Sequence, residues 1–241
     1  MFKLLIFSTF FFTTNCFGQD TFIVKDIIGL DGYSESKLKA NPDNIYEDSS
    51  YIVSKTCSGE WGGTVTFKNK KTGTEHSAAS TCPVVINKLN EKYYVTNTLA
   101  HLRGFSEILE ISNPELMPIL KVPEPRNKNG KTIIRYIGDD ESKSTKGTKQ
   151  LIDSIGILIL ASFPYKGQLY HIVTDFNKTL IDKIENQRLV TVDTISDGPI
   201  WTYDPEVILN VNGHMIVPLN LDDNEGFLDI FENQITIRRK E

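Results

Sequence analysis

Residues 157–195, ILILASFPYKGQLYHIVTDFNKTLIDKIENQRLVTVDTI, contain four short runs of apolar and β-branched residues separated by turn residues. One turn is Pro164-Tyr165-Lys166-Gly167, and a later one is Glu185-Asn186. Short runs of this kind between turn signals are typical of β-strands. The stretch therefore predicts a four-stranded antiparallel meander with strands at 157–163, 168–174, 179–184 and 188–195.

The same pattern recurs on both sides of this stretch. Downstream, Asn212-Gly213 lies between apolar runs and favours a tight hairpin, because both turn residues must accept positive φ. Upstream, the pattern predicts a third meander. Before it in the chain lies a less complete unit, and residues 21–30 are expected to complete that unit with an added strand. The predicted strands of the downstream meander are 207–211, 215–217, 227–231 and 234–237. Those of the third meander are 84–86, 93–96, 107–111 and 117–122, and those of the less complete unit are 51–54 and 64–67.

Residues 126–150 differ in composition from these units. Their latter part, 138–150, is charged, rich in Ser, Thr and Lys, and has no apolar residue. Such a segment cannot contribute to a core, so the sequence predicts a polar insertion at about 126–150 that is solvated at the surface.

The array of meanders resembles a β-propeller. The units that start at Ile157 and Val207 begin 50 residues apart, and the start at Val84 fits a spacing of 40 to 50 once residues 126–150 are treated as an insertion; this is the length of one blade. The resemblance concerns architecture alone, since the chain has no WD dipeptide or Kelch glycine pair. It implies an all-β fold in which four or five four-stranded sheets cover one another's apolar faces. A β-sandwich is the main alternative, and Gly59-Glu60-Trp61 resembles the opening motif of lipocalin barrels.

The first eighteen residues predict a signal peptide. Lys3 precedes an apolar run at 4–12, and Cys16-Phe17-Gly18 has the small-x-small pattern of a signal cleavage site. We therefore expect cleavage after Gly18. The run is too short to span a membrane. Lipidation of Cys16 is the less favoured alternative, because Thr13-Thr14-Asn15 lacks the residues of a lipoprotein signal. We therefore expect a secreted or periplasmic protein with one domain at 19–241 and no transmembrane segment.

Two cysteines, Cys57 and Cys82, remain after this cleavage, and an oxidising compartment favours a disulfide between them. The chain is acidic overall, with a net charge of −5. This balance argues against nucleic acid or an anionic membrane as the partner, because both require a basic surface.

No residue pattern in the sequence predicts catalysis, a cofactor or a metal. Gly-x-Ser-x-Gly is missing, and Leu221 to Gly226 fits a polar hairpin better than a calcium loop. The histidines His101, His171 and His214 fall near the second strands of successive units, so a propeller could bring them toward one axis. We interpret them as ordinary strand or turn residues, because their local contexts differ.

Trp61 and Trp201 carry the functional prediction. Both lie beside turn residues, where an indole can be displayed to a sugar ring or to a protein partner. The sequence therefore favours a non-catalytic binding module for a glycan or protein ligand. Two alternatives remain open: a glycan-directed hydrolase with its site at the propeller mouth, and a structural component of the envelope.

Overall fold

The computed structural model describes residues 22–29, 44–122, 124, 126–133, 136–209, 212–221 and 224–240. The predicted signal peptide and Cys16 lie outside these residues. The described part contains β-strands, turns and two short 3-10 turns, and no α-helix. In the same residues, no helix is long and apolar enough to cross a membrane.

The strands follow one another closely along the chain. In chain order they are β1 (Ile23–Ile28), β2 (Tyr46–Glu47), β3 (Tyr51–Cys57), β4 (Gly63–Asn69), β5 (Glu75–Ala79), β6 (Pro83–Leu89), β7 (Lys92–Leu99), β8 (Phe105–Ile111), β9 (Arg126–Lys128), β10 (Lys131–Ile133), β11 (Lys149–Ile155), β12 (Leu158–Tyr165), β13 (Gln168–Thr174), β14 (Thr179–Glu185), β15 (Arg188–Ser196), β16 (Ile208–Leu209), β17 (Met215–Leu221), β18 (Asn224–Phe231) and β19 (Gln234–Arg239).

These strands form four large sheets and one small hairpin, β9-β10. The first sheet has the order β2-β3-β4-β5, and the second has the order β6-β7-β8-β11. The third sheet is β12-β13-β14-β15, and the fourth is β16-β17-β18-β19-β1. Each described sheet is open, so none closes into a barrel. The all-β prediction is confirmed at this level, as several antiparallel sheets.

The third and fourth sheets contain the two meanders predicted downstream of Gly156. In the third sheet, each strand pairs with the next one along the chain. Its two faces pack against different neighbours: Tyr170 and Ile172 belong to a core shared with the fourth sheet, and Ile159 and Val173 to one shared with the second. Burial on both faces explains why β12 and β13 have apolar residues at consecutive positions.

The fourth strand of the second sheet is not 117–122, as predicted, but β11, which pairs with β8. The chain leaves the sheet at a 3-10 turn, Pro114–Leu116, in which the side chain of Asn113 accepts a hydrogen bond from the backbone N–H of Glu115. The following residues lie along the edge of the first sheet, where the carbonyl of Pro118 accepts a hydrogen bond from the backbone N–H of Ser77. They cover an edge that would otherwise be unpaired.

The N-terminal strand also has a different partner from the predicted one. β1 does not complete the first sheet; it pairs in parallel with β19, with Ile23 opposite Gln234 and Ile28 opposite Arg239. Five of its six residues are exposed. Phe22, directly before it, is buried against the rings of Phe163, Tyr165 and Tyr170 at centroid distances of 6.0, 5.8 and 5.0 Å.

The polar insertion is packed more closely than its composition predicted. It holds the β9-β10 hairpin and a segment, 136–148, in which Glu141 and Ser142 are 5% and 4% exposed. The backbone N–H of Ala79, at the edge of the first sheet, donates to the carbonyl of Ser144 over 2.8 Å. Part of 138–148 is thus buried against the first sheet, whereas other residues, such as Asp140 and Lys143, are exposed, and β11 begins at Lys149, inside the predicted insertion.

The predicted disulfide is present. Cys57, the last residue of β3, is bonded to Cys82, which directly precedes β6. The bridge therefore links the first sheet to the second.

Candidate functional site

A cavity of about 640 Å³ lies where the four sheets approach one another. Each sheet contributes residues to it, largely from the ends of strands and the turns that follow. The lining residues are Tyr46, Ile86, Asn87, Lys88, Phe163, Pro164, Tyr165, Lys166, Leu209, Gly213, Met215, Ile230, Phe231 and Glu232. We call this the inter-sheet cavity.

The inter-sheet cavity is built from equivalent positions of the four sheets. In each sheet, the earliest of the consecutive strands forms one edge: β2, β6, β12 and β16. These strands place Tyr46, Ile86, Phe163 and Leu209, respectively, in the cavity wall. Contacts of β6 with β2 and β12, and of β12 with β17, hold the edges together.

The walls are mainly apolar and aromatic. Phe163, Met215 and Ile230 are almost fully buried, whereas Leu209 at the rim is 56% exposed. The rings of Phe163 and Tyr165 are held in place, because both contact the ring of Phe22. A rigid concave surface of this size lies within the range of about 300–1,000 Å³ that is usual for small-molecule sites.

Charged groups lie at the rim of this cavity. The ammonium of Lys166 is 5.0 Å from the ring centroid of Tyr165. Glu232 lines the cavity from the turn between β18 and β19. Lys88 is held by Asp48, with Nζ 3.2 Å from Oδ2, and Glu91 lies 3.7 Å from the same ammonium.

Asp48 fixes the position of Lys88 because it stays ionised. Burial acts to raise the pKa of this carboxyl, but hydrogen bonds from the Tyr93 hydroxyl, from the backbone N–H groups of Ser50 and Tyr51 and from Lys88 outweigh it. The pKa is therefore lowered to about 2. The same hydrogen bond from Lys88 raises the pKa of the lysine, so the pair keeps both charges at neutral pH.

The tryptophans predicted to bind a ligand are not part of this cavity. Trp201 is 40% exposed and packs edge-on against Phe176, with centroids 6.2 Å apart. Phe176 lies near Leu158, the first residue of β12. Both side chains are next to Gly104, where an added Cβ would lie 3.0 Å from Leu158 and 3.0 Å from Phe176. The cavity is at the other end of β12, at Tyr165, about 23 Å away for a strand of this length.

Trp61 is 56% exposed, on the 3-10 turn between β3 and β4. The backbone of Gly138 packs on it so closely that a Cβ at this position, where φ is +77°, would lie 2.8 Å from Trp61 Cβ. Lys143 donates to the Trp61 carbonyl over 2.9 Å. The structure thus gives Trp61 a packing role against the insertion and leaves much of its ring exposed.

A buried polar row crosses the third sheet and bears on the hydrolase alternative. Ser162 is the register partner of His171, which in turn faces Asp182, so the three side chains share one face. Ser162 Oγ lies 2.7 Å from both His171 Nδ1 and Thr96 Oγ1.

This row has the residue types of a catalytic triad but not its geometry. Ser162 and His171 are fully buried, so the hydroxyl cannot reach a substrate. His171 Nε2 has no hydrogen-bond partner in the described part of the chain, so no carboxylate orients the ring. Burial lowers the pKa of His171 to about 3, and the imidazole is neutral at physiological pH.

The three histidines do not form a metal site. Nδ1 of His101 lies 2.5 Å from Glu60 Oε1, and His214 Nδ1 lies 2.6 Å from Asp229 Oδ1 with its ring stacked on Phe231. Over the residues that the structure describes, no group of three or more His, Cys, Asp or Glu side chains is placed to hold an ion. The acidic stretch at 222–223 lies outside those residues.

The inter-sheet cavity could not be found by motif, because its residues come from positions as distant as Tyr46 and Glu232. One local signal was available: the turn at 164–167 contains Tyr165 and Lys166, which both line the cavity. Comparison of the chain with protein-family models, curated proteins and solved structures finds no match.

Proposed function

We propose that the protein is an exported, non-catalytic binding module whose ligand occupies the inter-sheet cavity. One observation carries the proposal: the earliest strand of each of the four sheets places at least one residue in the wall of the same cavity. A cavity of this size, in which apolar and aromatic side chains lie beside several polar and charged groups, resembles the usual form of a ligand site.

The architecture we propose is a four-bladed propeller-like array around this cavity. Its support is the equivalent placement of β2, β6, β12 and β16, the contacts of β6 with β2 and β12 and of β12 with β17, and the pairing of β1 with β19. In such an array, addition of the N-terminal strand to the last sheet joins the two ends of the ring. The cavity then lies at the propeller mouth, where loops and strand ends commonly form binding sites.

The cavity's chemistry favours a ligand with an apolar body and a polar or anionic end. Phe163, Met215 and Ile230 offer apolar contact, and Tyr165 offers a ring face. Lys166 provides a cation at the rim. A small glycoconjugate or an apolar side chain of a partner protein both fit this description.

The test uses the two methionines that remain after residue 18. Met215 lines the inter-sheet cavity, whereas Met117 is buried in the core between the first and second sheets. Anilinonaphthalene sulfonate, an aromatic anion, is titrated into protein with isotope-labelled methionine methyl groups. We expect the Met215 methyl resonance to shift in a saturable way and the Met117 resonance to stay in place.

Two matched leucine variants locate the binding. Leu209→Asp places a carboxylate at the cavity rim and should weaken probe binding about tenfold, because it removes apolar contact and repels the sulfonate. Leu102→Asp changes a leucine that is 91% exposed on the turn between β7 and β8, and should leave the affinity unchanged. If Leu102→Asp weakens binding and Leu209→Asp does not, the proposed site is wrong.

A further inference from the structure

A second cavity, of about 370 Å³, lies between the second and third sheets. It shares no lining residue with the inter-sheet cavity. We call it the lateral cavity. Its polar lining residues come from β7, β8, β13 and β14. Those residues are Tyr94, Glu110, Gln168, His171, Lys183 and Glu185.

His171 gives this cavity an unusual feature. The residue is fully buried, its Nδ1 is paired with Ser162, and its Nε2 has no hydrogen-bond partner among the described residues. Asp182, its register partner on β14, is 5% exposed, and its Oδ1 likewise has no partner within the described chain. Buried polar atoms are nearly always paired, so Nε2 of His171, which lines the cavity, points to a hydrogen-bonding group that enters from it.

The protonation state of His171 suits an uncharged hydrogen-bonding group of a ligand. Burial lowers the pKa of His171 to about 3, which keeps the imidazole uncharged. Burial also raises the pKa of Asp182, with a smaller opposing effect from a hydrogen bond with Thr191. The uncharged imidazole thus offers no positive charge to a bound anion.

The charges around the opening are paired with one another. Lys183 Nζ lies 2.9 Å from Glu185 Oε1. Glu110 accepts hydrogen bonds from Lys92 over 3.0 Å and from the Tyr94 hydroxyl over 3.3 Å. The cavity thus offers several donors and acceptors with little net charge, next to a tyrosine ring and apolar side chains.

We infer that the lateral cavity binds a neutral, hydroxyl-rich ring, such as one saccharide unit, with a ligand hydroxyl bonded to His171 Nε2. A sugar hydroxyl both donates and accepts, so it can pair with Nε2 in either tautomer of the His171 ring. The apolar faces of a sugar ring fit Tyr94 and the neighbouring leucines. This inference does not depend on the function proposed for the inter-sheet cavity.

The experiment titrates D-glucose, D-galactose and N-acetyl-D-glucosamine, each at millimolar concentrations, into protein with isotope-labelled histidine and methionine. We expect at least one sugar to shift the His171 Nε2 resonance in a saturable way, while the Met215 methyl resonance stays in place. The two resonances therefore report ligand binding at the two cavities separately, so a negative result at one cavity is distinguishable from a negative result at the other.

Gln168→Ala removes one polar group from the cavity at an exposed position, so the fold is retained. We expect it to weaken sugar binding about fivefold, the effect of one lost hydrogen bond. Gln187→Ala, in the exposed turn between β14 and β15, is the matched control and should leave the affinity unchanged. Equal affinities in both variants, no shift with any of the sugars, or a crystal grown with sugar that shows an ordered water only at Nε2 would each overturn the inference.

Discussion

Glu141 is a buried carboxylate in a segment whose composition predicted a solvated surface. It accepts hydrogen bonds from the hydroxyls of Ser58 and Thr64, each over 2.6 Å, and from Thr56. The backbone N–H of Ser142 donates to Thr64 Oγ1 over 2.7 Å. A single side chain thus attaches the insertion to β3 and β4, beside the disulfide.

Composition could not reveal this role, because it averages over residues that behave differently. Residues 138–150 have no apolar side chain, and a loop of this kind is normally solvated. Burial of Glu141 depends on three hydroxyls that the β3-β4 hairpin supplies more than seventy residues earlier in the chain. Ser and Thr at those positions carry no local sign that they face a carboxylate.

Replacing Glu141 should change how stability depends on pH. Burial acts to raise the pKa of this carboxyl, but the hydrogen bonds from Ser58, Thr56 and Thr64 outweigh it, so the pKa is lowered in the folded protein. The stabilisation is therefore complete above the unfolded pKa of about 4.3 and is lost as the pH falls through the folded pKa. We expect Glu141→Gln to lower the free energy of unfolding by about 2 kcal/mol at pH 7.

Chemical denaturation at a series of pH values measures this effect. The difference between the wild type and Glu141→Gln should shrink as the pH falls below about 4. Glu91→Gln is the control, because the Glu91 side chain is 93% exposed. If the difference in free energy of unfolding between the wild type and Glu141→Gln stays constant at acidic pH, the carboxylate charge contributes nothing to stability.

At the scale of elements, local pattern predicted strands well and their partners less well. The third sheet follows the predicted meander because its turns are short, and neighbouring strands pair directly. The two errors involve strands with distant partners: β11 pairs with β8 across the insertion, and β1 pairs with β19. Periodicity reports which residues form a strand, whereas pairing across a long connection depends on packing that no short window contains.

Phe22 should be the main attachment of the N-terminal strand. Phe22→Ala removes contacts with three aromatic rings, and we expect the free energy of unfolding to fall by about 3 kcal/mol, as for other buried phenylalanines. Amide exchange should become faster at Ile23 and Gly29, whose N–H groups donate to Asn233 and Arg239.

Ile28→Ala provides the comparison on the same strand. Ile28 is 73% exposed, so its truncation should change stability by less than about 0.5 kcal/mol. If both substitutions have equally small effects on stability and exchange, the backbone pairing with β19 holds β1 without Phe22.

For the whole molecule, the sequence predicted the class of fold but not the place of the candidate site. The sequence favours Trp61 and Trp201 because large aromatics beside turns are often displayed to ligands, and both are partly exposed. The inter-sheet cavity is instead formed by ordinary strand residues such as Ile86 and Met215. Their shared position exists only after four sheets have assembled, so no property of the individual residues marks them.

The disulfide should contribute to the stability of the assembled sheets. Cys57 and Cys82 are separated by 25 residues, and a loop of this length predicts about 3 kcal/mol of stabilisation from restricting the unfolded chain. Reduction, or replacement of both cysteines by serine, should therefore lower the melting temperature by roughly 10 °C. Calorimetry with and without reductant measures the change, and an unchanged melting temperature would contradict the prediction.

The parallel pairing of β1 with β19 also sets an order of events during synthesis. β1 leaves the ribosome early, but its partner begins at Gln234, so its backbone groups stay without that ladder while almost all of the domain is translated. Closing so long a loop is entropically costly and comes late. Translation that stops before Gln234 would thus leave two sheet edges open at once, those of β1 and β18, and nascent chains of that length are the ones most exposed to aggregation.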